Sequence, residues 1–170
     1  MLDSSTPLES MPRRPRNPLS PRYKARMGYE GEYYLVRMFA DRGEPGTYAV
    51  RTPGSGSGKL PKPDVIAVDS GELLAIEVKS TNKPYVLLNS SQVKRLLEFC
   101  KLFVVRCPHC GAEIRPKPII AARFLNREWD FAEIPLSWRN SIMLKMPDRA
   151  SGGGQSPSRR RVEDAEKASR

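Results

Sequence analysis

Asp64, Glu77 and Lys79 have the residue types and the spacing to hold a divalent cation and cut a phosphate ester. Asp64-Val65-Ile66-Ala67-Val68 and Leu73-Leu74-Ala75-Ile76-Glu77-Val78-Lys79 are runs of aliphatic and β-branched residues around Asp69-Ser70-Gly71-Glu72, the signal of a β-hairpin. A tight turn centred on Ser70-Gly71 sets Asp64 opposite Glu77, with Cβ atoms about 4.5 to 5.5 Å apart. Alternation along the strand puts Ala75, Glu77 and Lys79 on one face and Leu74, Ile76 and Val78 on the other. Two facing carboxylates repel, and a hard cation bound through oxygen relieves that repulsion, which favours Mg²⁺ over zinc. Lys79, about 7 Å along the strand from Glu77, is placed to position or help deprotonate a water while the metal polarises the phosphoryl oxygen. The same three side chains also suit the solvent face of a half-exposed hairpin, and a three-residue turn would shift the register and separate the acids.

The elements that must carry these groups are legible nearby. Tyr29 to Arg42 is expected as a helix with Leu35, Met38 and Phe39 on one face and Gly43 as its stop. Glu32 falls on that inward face, either as a further member of the metal or water site or as a first-turn glutamate complementing the helix dipole. Tyr48 to Arg51 predicts a short strand. The loop Thr52-Pro53-Gly54-Ser55-Gly56-Ser57-Gly58-Lys59 follows; it is not a P-loop, because the glycine spacing is one short and Leu60 stands where a hydroxyl would be needed. Arg51, Ser55, Ser57 and Lys59 are candidate phosphate contacts there, and a plain linker is the alternative. Tyr85 to Leu88 predicts a strand. Asn89 then caps a second helix on which Val93, Leu96, Leu97 and Cys100 form an apolar stripe. Gln92 completes its capping box and sits where a helix N-terminus suits a phosphate or an activated water. Ile119 to Leu125 and Trp129 to Ile134 predict a closing strand pair joined by Asn126-Arg127-Glu128. The order indicates an α/β fold, a mixed central β-sheet flanked by helices.

The 170 residues suit one compact domain between two tails: a Pro/Arg-rich segment 1–27 whose prolines oppose a regular helix, a core 28–144, and a Ser/Gly/Arg-rich segment 145–170. Both tails are expected to be disordered. The net charge of +10 and pI near 9.8 point to a polyanionic partner, nucleic acid first. Seven of the ten excess charges fall in the two tails, which favours phosphate attraction over base reading. No apolar stretch is long enough to span a membrane and no signal-peptide pattern opens the chain, so the cytoplasm, in association with the chromosome, is the expected location and no membrane partner is expected.

Three cysteines do not make a disulfide framework. Cys100 belongs to the helical stripe. Cys107-Pro108-His109-Cys110-Gly111 is half of a zinc knuckle, open to three explanations: a metal site completed by His109 or a partner chain, an oxidisable thiol pair, or a remnant turn.

Taken together, Gly28-x-x-x-Glu32, Val50-Arg51-x-Pro53-x-Ser55-x-Ser57, Pro63-Asp64-Val65-Ile66-Ala67, Ile76-Glu77-Val78-Lys79-Ser80 and Gln92-Val93-x-x-Leu96-x-x-Phe99 resemble the archaeal Holliday junction resolvases of the Hjc/Hje type, within the restriction-endonuclease-like PD-(D/E)xK nucleases. The likeness runs from about Gly28 to Phe103. It implies a homodimeric, Mg²⁺-dependent endonuclease, with Mn²⁺ as a substitute, that resolves four-way DNA junctions by paired nicks in recombination and repair. By this resemblance Glu32, Asp64, Glu77 and Lys79 are catalytic, Glu32, Asp64, Glu77 and the Val78 carbonyl are metal ligands, and Arg51, Ser55 and Gln92 face DNA. Tyr33 departs from the pattern where an arginine is common, and the Cys107/Cys110 pair and the basic tails lie outside it. Another nuclease of the same fold acting on duplex or flap DNA, a noncatalytic architectural DNA-binding protein, and a zinc-binding interaction module are the competing expectations.

Overall fold

The computed structural model describes residues 20–54, 60–125, 129–147 and 159–162. Its first element is helix α1, Pro21–Ala40, which starts eight residues before the expected Tyr29. Pro21 occupies the first helical turn, where a missing N–H costs nothing and the fixed φ suits a helix, and the Ser20 side chain caps the Tyr23 amide at 3.2 Å. The expectation that the prolines of 1–27 exclude a helix is therefore corrected for 21–27: a proline that breaks a helix interior starts one here. Residues 1–19 lie outside the described residues.

Strands β1 (Tyr48–Arg51), β2 (Val65–Asp69) and β3 (Glu72–Thr81) form an antiparallel meander. The β2–β3 register, Val65 with Ile76 through Asp69 with Glu72, is the expected one, closed by Ser70 and Gly71, both at positive φ. Strand β4 (Tyr85–Leu88) leads into helix α2, Ser90–Leu102, whose capping box between Asn89 and Gln92 is complete in both directions. A small hairpin follows, β5 (Val105–Arg106) with β6 (Glu113–Ile114). Strand β7 (Lys117–Phe124) then pairs in parallel with β3 and antiparallel with β8 (Trp129–Glu133). Strand β9 (Ile142–Lys145) pairs with β4 in a separate two-stranded sheet.

The central sheet has the order β1-β2-β3-β7-β8-β10, where β10 is Arg159–Arg161 lying parallel to β8. This corrects the assignment of 145–170 as wholly disordered. The open edge of β8 offers unpaired backbone groups, and Val162, the apolar residue after three arginines, is buried in the core. The rest of that segment, 148–158 and 163–170, lies outside the described residues, as does the turn at 126–128.

The sheet separates two hydrophobic clusters. Leu35 and Phe39 of α1 pack with Leu74, Ile76 and Val78 of β3 on one face. On the other, Val93, Leu96, Leu97 and Cys100 of α2 pack with Ala75, Ile120, Phe124 and the β4–β9 pair. The mixed sheet flanked by helices is thus the architecture expected from the order of elements. No helix of the described residues is long and apolar enough to cross a membrane.

Candidate active site

Glu77 and Lys79 sit near the C-terminal end of β3, on the face that carries Ala75 into the α2 cluster. Asp64 stands one residue before β2. Its N–H donates to the Ile76 carbonyl at 3.0 Å and its own carbonyl accepts from Thr52 at 2.9 Å, so its backbone is held by both neighbouring strands. Its carboxylate Oδ2 accepts the Val78 amide at 2.9 Å. That bond orients the acid toward β3, where its neighbour is Glu77.

Both acids are buried, each less than a tenth exposed. Burial raises the Glu77 pKa above its ordinary value, and the Asp64 charge raises it further; Lys79 and, more weakly, Arg95 oppose the rise. Lys79 Nζ lies 2.7 Å from Glu77 Oε1, and Gln92 Nε2 donates to the same oxygen at 3.3 Å. Gln92 thus does two things: its Oε1 accepts the Asn89 amide at 3.3 Å, closing the capping box, and its amide nitrogen reaches the acid of the facing strand. The capping box is the expected one; the contact with Glu77 was not expected and follows from how α2 packs against β3.

Glu32 enters the same space from α1. Arg51 of β1 clasps it, with Nε and Nη2 at 2.8 and 2.6 Å from Oε2, and stacks on the Tyr29 ring at 4.4 Å. Arg51 was expected to face phosphate; here its guanidinium is engaged with Glu32. Gly31 lets α1 approach β3, because a Cβ there would stand 2.1 Å from Ser80 Oγ. Without that approach Glu32 would be held away from the strand.

Glu32, Asp64, Glu77, Val78, Lys79 and Gln92 line one open cleft of about 560 Å³. Tyr23, Lys24, Lys83 and Arg95 line it too, and sequence reasoning did not single them out. Arg95 had a usable signal, one turn beyond Gln92 on α2. Lys24 was hidden by placing residues 21–27 in a tail. The expected loop contacts Ser55, Ser57 and Lys59 lie outside the described residues.

The donor set suits a hard divalent cation in part. Asp64 and Glu77 supply oxygen donors, and burial first and the Asp64 charge second raise the Glu77 pKa, both of which a bound cation would offset. Among the described residues, however, no three His, Cys, Asp or Glu side chains meet closely enough to form a complete metal site. Glu32 lines the cleft but is held by Arg51 rather than gathered with the other two acids.

The model of the archaeal Holliday junction resolvase (Hjc) family matches residues 23–153. A crossover junction endodeoxyribonuclease of Sulfolobus islandicus rod-shaped virus 1 is 38% identical over 73 residues, 43% of this chain and 60% of the viral protein. The chain therefore spans less than two thirds of that relative. The crossover junction endodeoxyribonuclease Hje of Saccharolobus solfataricus is 38% identical over 104 residues, 61% of this chain and 68% of Hje. Hje of Sulfolobus acidocaldarius is 33% identical over 126 residues, covering 70% of this chain and 82% of that protein.

Proposed function

The chain belongs to the archaeal Holliday junction resolvase family, and we propose that it is an endodeoxyribonuclease that hydrolyses phosphodiester bonds in four-way DNA junctions by paired nicks. The observation that carries this reading is the buried Asp64–Glu77 pair with Lys79 on Glu77, opening into a cleft lined by Lys24, Lys83 and Arg95. Buried like charges cost stability, and a binding protein that only coated DNA would have no use for them.

In this reading Asp64 and Glu77 hold Mg²⁺, or Mn²⁺ in its place, with the Val78 carbonyl as a further oxygen donor. The cation supplies charge stabilisation at the scissile phosphate. Lys79 orients the attacking water as a hydrogen-bond donor; its ammonium already lies on the Glu77 carboxylate, so the two act as a unit. Gln92 steadies the same Glu77 oxygen that Lys79 holds and so ties the α2 N-terminus to the acid, where a helix start favours a phosphate. Glu32 assists cation binding or proton removal once Arg51 exchanges it for a DNA phosphate, an exchange that joins both expected roles. Lys24, Lys83 and Arg95 attract the backbone without reading bases. Paired nicks require two such sites, which a homodimer provides. The activity is expected in the cytoplasm, on chromosomal DNA undergoing recombination or repair.

Matched four-way, flap and linear duplex DNAs, each incubated with Mg²⁺ and with EDTA and mapped for nicks, test the reading. Symmetric cuts confined to the four-way substrate in Mg²⁺ are expected. Equal cutting of linear duplex would leave a nuclease of broader choice, and binding without any scission would leave an architectural DNA-binding protein.

A further inference from the structure

The β5–β6 hairpin is not used by the cleft. At its tip Cys107-Pro108-His109-Cys110-Gly111 turns tightly: the Gly111 amide donates to the Cys107 carbonyl at 2.9 Å, the Cys107 amide donates to Ala112 at 2.8 Å, and Gly111 takes a φ of 74° that a side chain would resist. This closure folds the chain back on itself between Cys107 and Cys110, so both thiols belong to one turn. Both thiols are free, and both are accessible.

Two sulfurs are half of a closed tetrahedral zinc site. The chain has one histidine and three cysteines, and Cys100 is buried in the α2 cluster. His109 lies within the turn, yet no group of three potential metal ligands meets among the described residues. A second copy of the chain can supply the two ligands that are missing. The surface beside the knuckle is also unfinished: Leu102 and Phe103 at the end of α2, with Val105 and Ile114 of the hairpin, are all exposed apolar side chains. Arg115 ties the hairpin to that helix end through the Lys101 carbonyl at 3.0 Å, so the turn and the apolar residues present one surface.

We propose that the hairpins of two copies of this chain meet about a twofold axis and share one zinc ion through Cys107 and Cys110 of each. A twofold axis converts a two-ligand half-site into four equivalent ligands without any further residue type. Charge agrees with this closure. Four thiols lose four protons and Zn²⁺ binds four thiolates, leaving a centre of charge −2. Each hairpin carries Arg106 and Arg115 on the single carboxylate of Glu113, a net +1, so two hairpins supply the matching +2. Leu102, Phe103, Val105 and Ile114 lose water in the same contact.

The full chain, purified with zinc present, should contain one zinc per two chains by elemental analysis. Light scattering should show at least a twofold larger particle mass with zinc than after chelation. Cobalt substituted for zinc should give the thiolate charge-transfer and tetrahedral ligand-field bands of a four-sulfur site. Cys107→Ser and Cys110→Ser should each abolish the metal-dependent mass change, with the far-UV circular dichroism of each variant checked against the parent so that misfolding is not mistaken for lost zinc. His109→Ala should leave the stoichiometry unchanged. One zinc per chain on an unassociated particle, zinc loss in His109→Ala, or no zinc uptake by reduced protein would each overturn the proposal.

Discussion

Strand β3 presents two faces built from alternate residues of one sequence, and they meet opposite fates. Leu74, Ile76 and Val78 enter an apolar cluster closed by Leu35 and Phe39 of α1. Ala75 begins the other face in the same way, but Glu77 and Lys79 follow it, and the α2 layer receives a carboxylate that its surroundings push toward protonation. One face is stabilised by removing carbon from water; the other spends part of that stability on a buried charge. The proposed reacting groups therefore sit on the face where burial is least favourable, and the apolar face is what keeps the strand folded.

Glu77→Gln should have the largest effect on cutting. Removing one charged donor forfeits several kcal/mol of transition-state stabilisation, about a thousandfold in rate, with junction binding retained. Cleavage assays beside gel-shift titrations check this; a variant that still cut within about tenfold of the parent would remove Glu77 from the chemistry. On the opposite face, Ile76→Ala should cost about 2–5 kcal/mol of stability by opening a cavity between α1 and the sheet. Denaturant unfolding measures it, and a smaller loss than that of a surface substitution would break the contrast between the two faces.

The seam between the faces is tested at Gly31. Gly31→Ala should cost about 1–3 kcal/mol, because its new methyl meets Ser80 Oγ. Ser80 Oγ is buried without a hydrogen-bond partner among the described residues, so Ser80→Ala should cost less and should recover most of the Gly31→Ala loss in the double variant. Simple additivity would mean that the close approach of α1 is not set by this pair.

The subtlest expectation concerns pH in the absence of divalent metal. Glu77 has a folded pKa above its ordinary value, so within the window between the two the native chain holds more protons than the unfolded chain. Its contribution must then lower stability as pH rises through that window and restore it as pH falls. Melting temperatures in EDTA should show this slope in the parent and not in Glu77→Gln, which should also be the more stable above the window. A parent slope of the opposite sign would mean that Lys79 and Arg95 outweigh burial and Asp64.

Local pattern determined much of this. The alternation in 73–79, the two-residue turn at Ser70-Gly71 and the Asn89 cap are short-range rules, and the hairpin register and α2 follow from them as expected. The same range of rules failed at Pro21, where one residue type has opposite effects in a helix interior and in its first turn, and only Ser20 capping and packing of the helix distinguish them. Strands β9 and β10 were not anticipated, since each is a few residues long and gains its order from partners distant in the chain: Ile142–Lys145 from β4, and Arg159–Arg161 from the free edge of β8.

The site divides the same way. Its acids and lysine were recognisable from residue type and strand period, because alternation alone assigns Glu77 and Lys79 to one face. Whether Glu77 would be buried, that Gln92 would touch it, and that Arg51 would hold Glu32 depend on how closely α1, α2 and β1 approach β3. Period is a property of the backbone and is written in order along the chain; desolvation and ion pairing are set by distances between elements, which only the packed tertiary structure decides.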